Sequence, residues 1–420
     1  MDFSGKKLLV LGATAYSINV INIAHRLGAS VVVVDPIKNR PAKKLADGAY
    51  DVDTTNVEEL YKIAVEEKVD GIFTGYSDVN LPVARELCDR LGLPFYAKSQ
   101  EQILNTTDKL RFKAMCRKYN VGVVPQYEEA ELETASYPII IKPANSYASK
   151  GISVCYKFED TPAALEKARK YSKTEEVIIE KYFRGVDNVN IDYVMQDGNI
   201  ILSAVGDKYE NREQKGKSPL SAAGTYPSKH LQEYIDTVDA NVKRMFYEEG
   251  MHNGTAFIQS FYEDGKFYFF EMGYRVGGGQ GSIMYSKMGG IDYVEALINF
   301  ALSGKMSDKD LSKMEGPDFK KCSCALVVLL KSGTIAKVEG LDEIKSIKEF
   351  VNLTQFYHEG ETITESVIGN LGQSFGRIHF VGDNFNDIKA AIKRVYEVLK
   401  ITSDKGEDMI LPGGFTGEQL

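Results

Sequence analysis

The feature that most constrains the fold of this chain is a β-hairpin signature in the segment TAFIQSFYEDGKFYFFEMG, which runs from Thr255 to Gly273. The first arm alternates apolar and polar residues, and the second arm is rich in aromatic residues. Between them lies a tight-turn sequence at 263–265. If the arms pair around this turn, the side chains of Gln259 and Glu271 face each other. We therefore predict two antiparallel strands that bring two oxygen-bearing side chains side by side.

The residues after the hairpin fit a site for a phosphorylated ligand. Hard oxygen ligands on rigid strands suit Mg²⁺, so Gln259 and Glu271 are candidate metal ligands. Arg275 follows four residues later, and glycines at 277–279 let backbone N–H groups approach an anion. Enzymes that transfer phosphoryl groups use metal ligands, a cationic side chain and phosphate-binding backbone groups together. An ordinary hairpin with one buried acid explains the segment equally well at this point.

The composition is typical of a globular protein. Because a single hydrophobic core rarely supports as many as 420 residues, we expect two or three domains. A net charge of −8 gives no electrostatic argument for binding nucleic acid. No apolar run reaches the roughly 18 residues that a membrane span needs. Five scattered cysteines do not suggest a disulfide framework. We expect a cytoplasmic protein without nucleic-acid or membrane partners.

The first 95 or so residues alternate strand and helix patterns, which indicates a parallel sheet in an α/β unit. The first turn contains Gly12 but not the dinucleotide fingerprint G-x-G-x-x-G. Asp35 closes the second strand, where a dehydrogenase would place a ribose-binding acid. Without the glycines we interpret Asp35 as a turn residue, and a dehydrogenase is disfavoured.

Two lysines upstream of the hairpin are candidates for binding an anion. Lys109 lies on a predicted helix from Thr107 to Tyr119, where a solvated role is equally open. Lys142 ends the apolar strand PIIIK, and a lysine there must find an anion or reach solvent. This position favours a functional lysine over a salt-bridged surface one. The following loop, 145–151, has small hydroxyl and glycine residues that suit phosphates but is not a Walker loop.

A second apolar strand ends in a group of polar and aromatic residues. Glu180 follows Val177-Ile178-Ile179, and Asp187 lies seven residues further on, a position from which it can accept hydrogen bonds from ribose hydroxyls. A structural role is the stronger interpretation of these residues on their own. The polar segment 206–229 is predicted to be a mobile loop, in which Lys208 and Arg212 are as consistent with solvation as with a substrate contact.

Taken in order, these segments resemble the ATP-grasp superfamily, in particular the group with the L-amino-acid ligases, the carbamoyl-phosphate synthase large chain and the purine-pathway carboxylate ligases. The resemblance implies an α/β (α+β overall) fold with a Rossmann-like domain at 1–97, a two-lobed ATP-grasp domain at 98–306 and a C-terminal α+β domain at 307–420. The small lobe would span about 123–187. We also expect a final helix from Asn386 to Leu399 with Asn386 as its N-cap.

The resemblance also assigns roles to residues. It implies ATP as the nucleotide and Mg²⁺ as the metal, with Mn²⁺ as an alternative, held by Gln259 and Glu271. Arg275, Lys142 and Lys208 would act in catalysis. The nucleotide-binding residues would be Lys109, Lys142, Ser146, Ser149, Gly151, Glu180, Lys181, Phe183 and Asp187, with Glu180, Lys181 and Phe183 at the adenine-binding hinge.

Two positions depart from the family pattern. Relatives commonly carry Glu-x-Asn-Pro-Arg in the second strand, whereas this chain has Glu271-Met272-Gly273-Tyr274-Arg275. Glycine has no side chain to ligate a metal, so a second metal site would be weakened or completed by another group. Gln259 replaces the more usual glutamate. Together these changes remove one negative charge and one oxygen donor.

The expected activity is that of an ADP-forming carboxylate–amine ligase that acts through an acyl phosphate on a small polar carboxylate and amine, one of them an amino acid. Activation of bicarbonate or formate is an alternative within the family. A non-catalytic ATP-binding sensor or platform is an alternative of another class, and Gly273 is its best support. Substrate choice is expected from 206–229, the run after Arg275 and the loop around 75–78. A homodimer is the default expectation for a soluble enzyme.

Overall fold

The computed structural model describes residues 1–144, 151–172, 174–211 and 219–420. Over these residues the protein is a mixed α/β structure with one large antiparallel sheet and three smaller sheets. This confirms the predicted fold class. Within the same residues, no helix is long and apolar enough to cross a membrane.

The leading segment forms a four-stranded parallel sheet in the order β3-β2-β1-β4. Apolar side chains of β1 and β2 are buried on both faces of this sheet, as in other helix-covered parallel sheets. Asp35 is itself buried, and its carboxylate accepts hydrogen bonds from the backbone N–H groups of Ala13 and Ile37 at 3.0 and 2.9 Å, so it joins two turns. The elements are β1 (Lys7–Leu11), α1 (Ala15–Arg26), β2 (Ser30–Val34), β3 (Gly48–Tyr50), α2 (Val57–Glu67), β4 (Gly71–Phe73) and α3 (Asn80–Leu91).

A small three-stranded sheet follows, in the order β6-β5-β7. The helix predicted from Thr107 begins at Lys109, because Asp108 caps it by accepting N–H bonds from Leu110 and Arg111 at 2.9 Å. A separate helix that we did not predict precedes it. The elements are α4 (Gln100–Thr107), α5 (Lys109–Lys118), β5 (Ile139–Pro143), β6 (Ser153–Cys155), α6 (Thr161–Tyr171) and β7 (Val177–Lys181).

The central feature is an eight-stranded sheet in the order β12-β11-β8-β9-β10-β13-β17-β15. The predicted hairpin is confirmed as β11 and β12, and its turn residues Asp264 and Gly265 have positive φ angles of 51° and 74°. The sheet and its flanking helices comprise β8 (Asp187–Gln196), β9 (Asn199–Asn211), β10 (Leu220–Tyr226), α7 (Leu231–Tyr234), a π-helix (Ile235–Asp239), α8 (Ala240–Glu248), β11 (Gly254–Glu263), β12 (Lys266–Gly273), α9 (Gly281–Lys287) and α10 (Tyr293–Ser303).

The prediction of a mobile loop over 206–229 is wrong for most of that segment. Residues up to Asn211 continue β9, and Leu220–Tyr226 form β10, which pairs with β9. Their polar and glycine residues resemble a loop in sequence because one face of these strands borders a cavity instead of packing against a core. Arg212 lies outside the described residues.

The C-terminal segment adds three strands to the same sheet, since β13 pairs with β10 across the predicted border at 306/307. That division into domains stays a prediction. The final helix is capped by Asn384, not Asn386, because the Asn384 side chain accepts the N–H groups of Asn386 and Asp387. The elements are β13 (Cys322–Leu329), β14 (Gly333–Glu339), α11 (Leu341–Lys345), β15 (Phe350–Gln355), β16 (Thr362–Ile363), β17 (Ser374–Gly382), α12 (Phe385–Val398) and β18 (Lys400–Ser403).

Candidate active site

A cavity of about 250 Å³ lies against one face of the eight-stranded sheet. Strands β8 to β13 contribute side chains to it, and the glycines after β12 also line it. The charged and amide side chains around it, together with three glycines of that run, are Asn190, Asp192, Lys208, Gln259, Glu271, Arg275, Gly277, Gly278, Gly279 and Arg377.

Gln259 and Glu271 lie directly opposite each other in the β11–β12 ladder. Immediately beyond them the register shifts, because Ser260 pairs with Phe269 and leaves Phe270 as an extra residue. Such a bulge changes the direction of neighbouring side chains and often occurs beside active sites. Both side chains are half-buried and line the cavity. A carboxylate next to an amide oxygen is a donor pair that fits a hard divalent cation.

Asn190 extends this pair to a third strand. On β8 it lies opposite Gln259, so Asn190, Gln259 and Glu271 form a row across β8, β11 and β12. The sequence analysis missed Asn190. Its signal is the alternation in DNVNIDYV, where polar residues recur at every second position of an apolar strand and therefore share one face.

The glycine at position 273 is required by its neighbour. Gly273 pairs with Phe257 across the hairpin, and a Cβ atom at 273 would lie 2.4 Å from the Phe257 ring. It would also lie 3.3 Å from a carboxylate oxygen of Asp78. Phe257 therefore fills the space that the asparagine of the family pattern would need.

Arg275 is held in place by Asp78 of the leading segment. Its Nε and Nη2 groups donate hydrogen bonds to the two Asp78 carboxylate oxygens at 2.7 and 2.5 Å. Its Nη1 group donates to the backbone carbonyl of Val276 at 2.9 Å, and the guanidinium lies 5.0 Å from the Phe257 ring centre. A bidentate salt bridge of this kind fixes the orientation of the guanidinium.

A buried group of charges lies where β5, β7 and α5 meet. The Lys142 ammonium contacts one Glu180 carboxylate oxygen at 2.6 Å, and the Lys113 ammonium contacts the other. Lys113 is fully buried, and Lys142 and Glu180 are nearly so. We predicted Glu180 at an adenine-binding hinge, but its carboxylate is occupied by these two lysines, which leaves only its backbone for that role.

Burial lowers the pKa of the Lys142 ammonium well below its ordinary value, and the positive charges of Lys109 and Lys113 act in the same direction. Burial likewise lowers the pKa of Lys113 to about 7, with smaller contributions from Arg117 and Lys109. The Glu180 carboxylate opposes these effects because its negative charge favours both protonated lysines. Two lysines contact this carboxylate, and Lys109 lies near enough to both to act on their pKa values, so basic groups outnumber the acid here.

The lysine cluster and the hairpin belong to one site. The Glu271 carboxylate is close enough to Lys142 to raise the pKa of that lysine, against the effect of burial. Lys109, at the start of α5, is half-buried beside the same group. The structure therefore brings a predicted nucleotide-binding lysine, Lys142, within electrostatic range of a predicted metal ligand, Glu271, more than 100 positions away in sequence.

Residues 108–309 match the protein-family model described as the carbamoyl-phosphate synthase L chain ATP-binding domain. The protein carries an ATP-grasp domain. A formate-dependent phosphoribosylglycinamide formyltransferase from Prochlorococcus marinus is 29% identical over 201 residues, which cover 46% of this chain and 50% of that protein. The chain thus aligns with only about half the length of this relative.

Two solved structures share the ATP-grasp architecture over nearly the whole chain. L-amino acid ligase from Bacillus licheniformis has a TM-score of 0.78 and 20% identity, and the match covers 96% of this chain and 100% of that one. The biotin carboxylase domain dimer of Hydrogenobacter thermophilus 2-oxoglutarate carboxylase, solved with MgADP, ADP and bicarbonate, has a TM-score of 0.75 and 19% identity over 96% and 91% of the two chains. At these identities the likeness shows the fold.

Beside the ATP-grasp site, the predicted hinge residues have partners of their own. Lys181 contacts Glu263 and lies 4.5 Å from the Phe183 ring centre, and Phe183 stacks on Phe261. Asp187, at the start of β8, accepts hydrogen bonds from Lys229 and His230. Partial burial tends to raise its pKa, but these two bonds outweigh burial and the pKa is lowered. A ribose hydroxyl would share Asp187 with Lys229 and His230.

The remaining residues predicted for the site are Ser146, Ser149, Gly151 and Lys208. Ser146 and Ser149 lie outside the described residues. Gly151 packs against Pro143 and Tyr171, where a Cβ atom would come within 2.7 Å of either side chain. Lys208 lines the cavity from β9.

Sequence analysis missed Arg377 of β17, which is buried, lines the cavity and donates to the Gly278 carbonyl. Only the pairing of β13 with β10 and β17 brings it there.

Proposed function

We propose that the protein is an ATP-dependent, ADP-forming carboxylate–amine ligase that acts through an acyl phosphate on small polar substrates, an amino acid being the first candidate. One observation carries this proposal: the buried cluster of Lys142, Lys113 and Glu180 lies within electrostatic reach of Glu271 on the hairpin. Excess positive charge beside a pair of metal-type oxygen donors is the environment that a metal-bound nucleotide requires.

The residues divide into two groups of proposed roles. Lys109 and Lys142 bind nucleotide phosphates, while Lys181 and Phe183 flank the adenine and Asp187 accepts from the ribose. Gln259 and Glu271 hold Mg²⁺, or Mn²⁺ in its place. The bound nucleotide and metal supply the phosphoryl group and neutralise charge during its transfer. Ser146 and Ser149, with Gly151, are proposed for the loop that covers the phosphates.

Arg275 and Lys208 are proposed to neutralise charge around the reacting carboxylate. A carboxylate that attacks a polyanion is repelled unless fixed cations compensate, and cations held before the reaction are the most effective. Arg275 meets this requirement because Asp78 fixes its guanidinium beside the cavity. Lys208 lines the same cavity from β9, in the middle of the sheet.

The second candidate function is activation of bicarbonate or formate. It is favoured by two similar proteins, one described as formate-dependent and the other solved with bicarbonate. A sensor that binds ATP without turning it over is the third candidate, since Gly273 removes one metal ligand. Oligomeric state is a separate question, which light scattering of the purified chain would answer.

The experiment that separates these candidates is ADP release from MgATP. The full chain is given the twenty amino acids singly and in pairs, then formate, then bicarbonate, with carbon dioxide removed from the other arms. We expect ADP release with an amino-acid pair and a loss of at least about 100-fold in Glu271→Gln. Asp264→Asn, a change of the exposed acid at the turn of the same hairpin, serves as the matched control.

Each outcome selects one candidate. Turnover with formate or bicarbonate alone would replace the amino-acid proposal with the second candidate. Mg²⁺-dependent stabilisation by a non-hydrolysable ATP analogue, together with no ADP release in any arm, would favour the sensor.

A further inference from the structure

Asp192 is a buried acid that borders the cavity and has no role in the site described above. It lies on β8, two residues after Asn190 and therefore on the same face of the strand. It is 8% exposed and lines the cavity. One of its carboxylate oxygens accepts a hydrogen bond from the Tyr285 hydroxyl at 2.8 Å. A buried carboxylate at a cavity wall is costly unless something compensates its charge.

The structure supplies no cation for this carboxylate from the described residues. Burial raises the pKa of Asp192 to about 7, and the Tyr285 hydrogen bond, which lowers it, is the one effect that opposes burial; no lysine, arginine or histidine in the described part of the chain contributes. Glu180, the buried acid of the lysine cluster, differs in this respect, since it has two lysine partners. Within the described part of the chain, Asp192 thus has a tyrosine partner and no basic one.

The surroundings of Asp192 suit an organic cation. Tyr226, Tyr285 and Tyr293 gather next to it, with ring centres 5.0 Å apart for the first two and 5.3 Å apart for the last two. Tyr226 and Tyr293 line the cavity together with Asp192. Aromatic faces attract ammonium groups through their quadrupole and suit the apolar part of an amine.

The position of Asp192 relative to Arg275 fits a reaction between two substrates. Phe257 pairs with Asp192 on one side and with Gly273 on the other, and the Arg275 guanidinium stacks on the Phe257 ring. A single phenylalanine therefore separates Asp192, an acid with no basic partner among the described residues, from the Arg275 guanidinium, which Asp78 holds in place. An ammonium ligand favours the ionised form of Asp192, and a carboxylate ligand favours the guanidinium side of the ring.

We propose that Asp192, with the tyrosines around it, is the binding site for the ammonium group of the amine substrate. This inference rests on the proposed ligase function, which requires an amine. It assigns a small primary amine, such as the amino group of an amino acid, to the β8 side of the cavity. The acid to be activated lies on the other side of Phe257, towards Arg275 and Glu271.

The test uses binding to the full chain and needs no turnover. The protein is saturated with Mg²⁺ and a non-hydrolysable ATP analogue, and its thermal unfolding is followed against the twenty amino acids, their carboxamides and their N-acetyl derivatives. Carboxamides keep the amine and lose the carboxylate, whereas N-acetyl derivatives do the reverse. In the wild type we expect stabilisation by at least one amine-bearing compound.

Two isosteric variants make the test specific. Asp192→Asn keeps an oxygen that accepts the Tyr285 hydroxyl but removes the charge, and we expect its half-saturating concentration for the amine to rise about tenfold to 100-fold. Binding of N-acetyl compounds should be unchanged. Asp239→Asn is the matched control, because Asp239 is equally buried and accepts a tyrosine hydroxyl at 2.7 Å from Tyr193, yet it is not among the residues that line the cavity. It should bind amines like the wild type.

Three results would overturn the inference: unchanged amine affinity in Asp192→Asn, an equal loss in Asp239→Asn, or no stabilisation of the wild type by any amine-bearing compound. Equal stabilisation by potassium chloride would assign the site to inorganic cations and reject it for amines. Failure of the ligase proposal is recognised separately, as absence of ADP release. If amine binding depends on Asp192 but no ADP is released, the inference about Asp192 stands and the ligase proposal fails.

Discussion

Phe257 occupies the space that any side chain at position 273 would need, with its ring 2.4 Å from where a Cβ atom of residue 273 would lie. The two residues are paired across β11 and β12. Glycine in place of the asparagine of the family pattern therefore leaves room for the Phe257 ring, over which the Arg275 guanidinium lies. A metal ligand at position 273 and an aromatic ring at position 257 exclude each other.

This coupling predicts the behaviour of Gly273→Asn. The single variant forces a side chain into Phe257, and we expect it to lose about 1–3 kcal/mol of unfolding free energy, as overpacked sites do. The double variant Phe257→Ala/Gly273→Asn should recover part of that loss, because alanine vacates the space. A double-mutant cycle from urea unfolding measures the coupling. Additive effects of the two substitutions would show that the ring and position 273 do not compete.

The Arg275–Asp78 pair predicts a loss of turnover that is larger than the loss of nucleotide binding. Lysine cannot form the bidentate salt bridge that Arg275 makes with Asp78. Arg275→Lys should therefore lower kcat about 100-fold to 1000-fold and change the affinity for MgATP little. The measurement is ADP release with the substrates that support it, beside binding of a fluorescent nucleotide. Arg90→Lys is a matched control, since Arg90 makes a similar contact with Glu58 on the surface. Equal effects of both variants on kcat would contradict the role of Arg275.

The parts of this site that were predictable from sequence are those set by local patterns. Alternation and turn chemistry between residues 255 and 273 are enough to predict the hairpin, and the pairing of Gln259 with Glu271 is confirmed. The extra residue Phe270, which sets these two side chains directly opposite each other, is not visible in those patterns. The partner of Arg275 could not be found in this way, because Asp78 lies 197 positions away and only tertiary packing brings it near.

Lys113 and Asp192 illustrate a different limit. Lys113 is one of several basic residues on α5, and helical spacing does not say which of them is buried against another strand. Asp192 belongs to a strand whose alternation is visible in sequence, but whether its polar face borders water or a cavity depends on residues far along the chain. The segment 206–229 was misassigned for the same reason, since strands that border a cavity carry polar and small residues.

Glu180 is predicted to be the most stability-sensitive acid of the site. Glu180→Gln leaves Lys113 and Lys142 buried without an anion, and breaking a buried pair in this way costs about 3–5 kcal/mol. Glu263→Gln removes a carboxylate that contacts Lys181 at a half-exposed position, and it should cost less than about 1 kcal/mol. Urea unfolding of both variants provides the comparison. If both variants lose a similar amount of unfolding free energy, burial of the Glu180 cluster does not add to the stability of the protein.

The raised pKa of Asp192 predicts how stability depends on pH. The folded state has a pKa of about 7 for this carboxyl because of burial, against an ordinary value of 3.8. Between these pH values the folded protein holds a proton that the unfolded chain has released. The contribution of Asp192 is therefore most favourable below about pH 4, declines as pH rises to about 7 and is constant above that. The span corresponds to about 4 kcal/mol.

Asp192→Asn removes this dependence, so its melting temperature relative to the wild type should rise steadily from pH 5 to pH 7 and then level off. The tyrosines that face Asp192, at positions 226, 285 and 293, all have raised pKa values through burial and stay neutral over this range. Asp264→Asn, at the exposed hairpin turn, gives the baseline for losing a carboxylate. Parallel pH profiles for Asp192→Asn and the wild type would mean that folding does not change the protonation of Asp192 over this range, and would contradict the raised pKa.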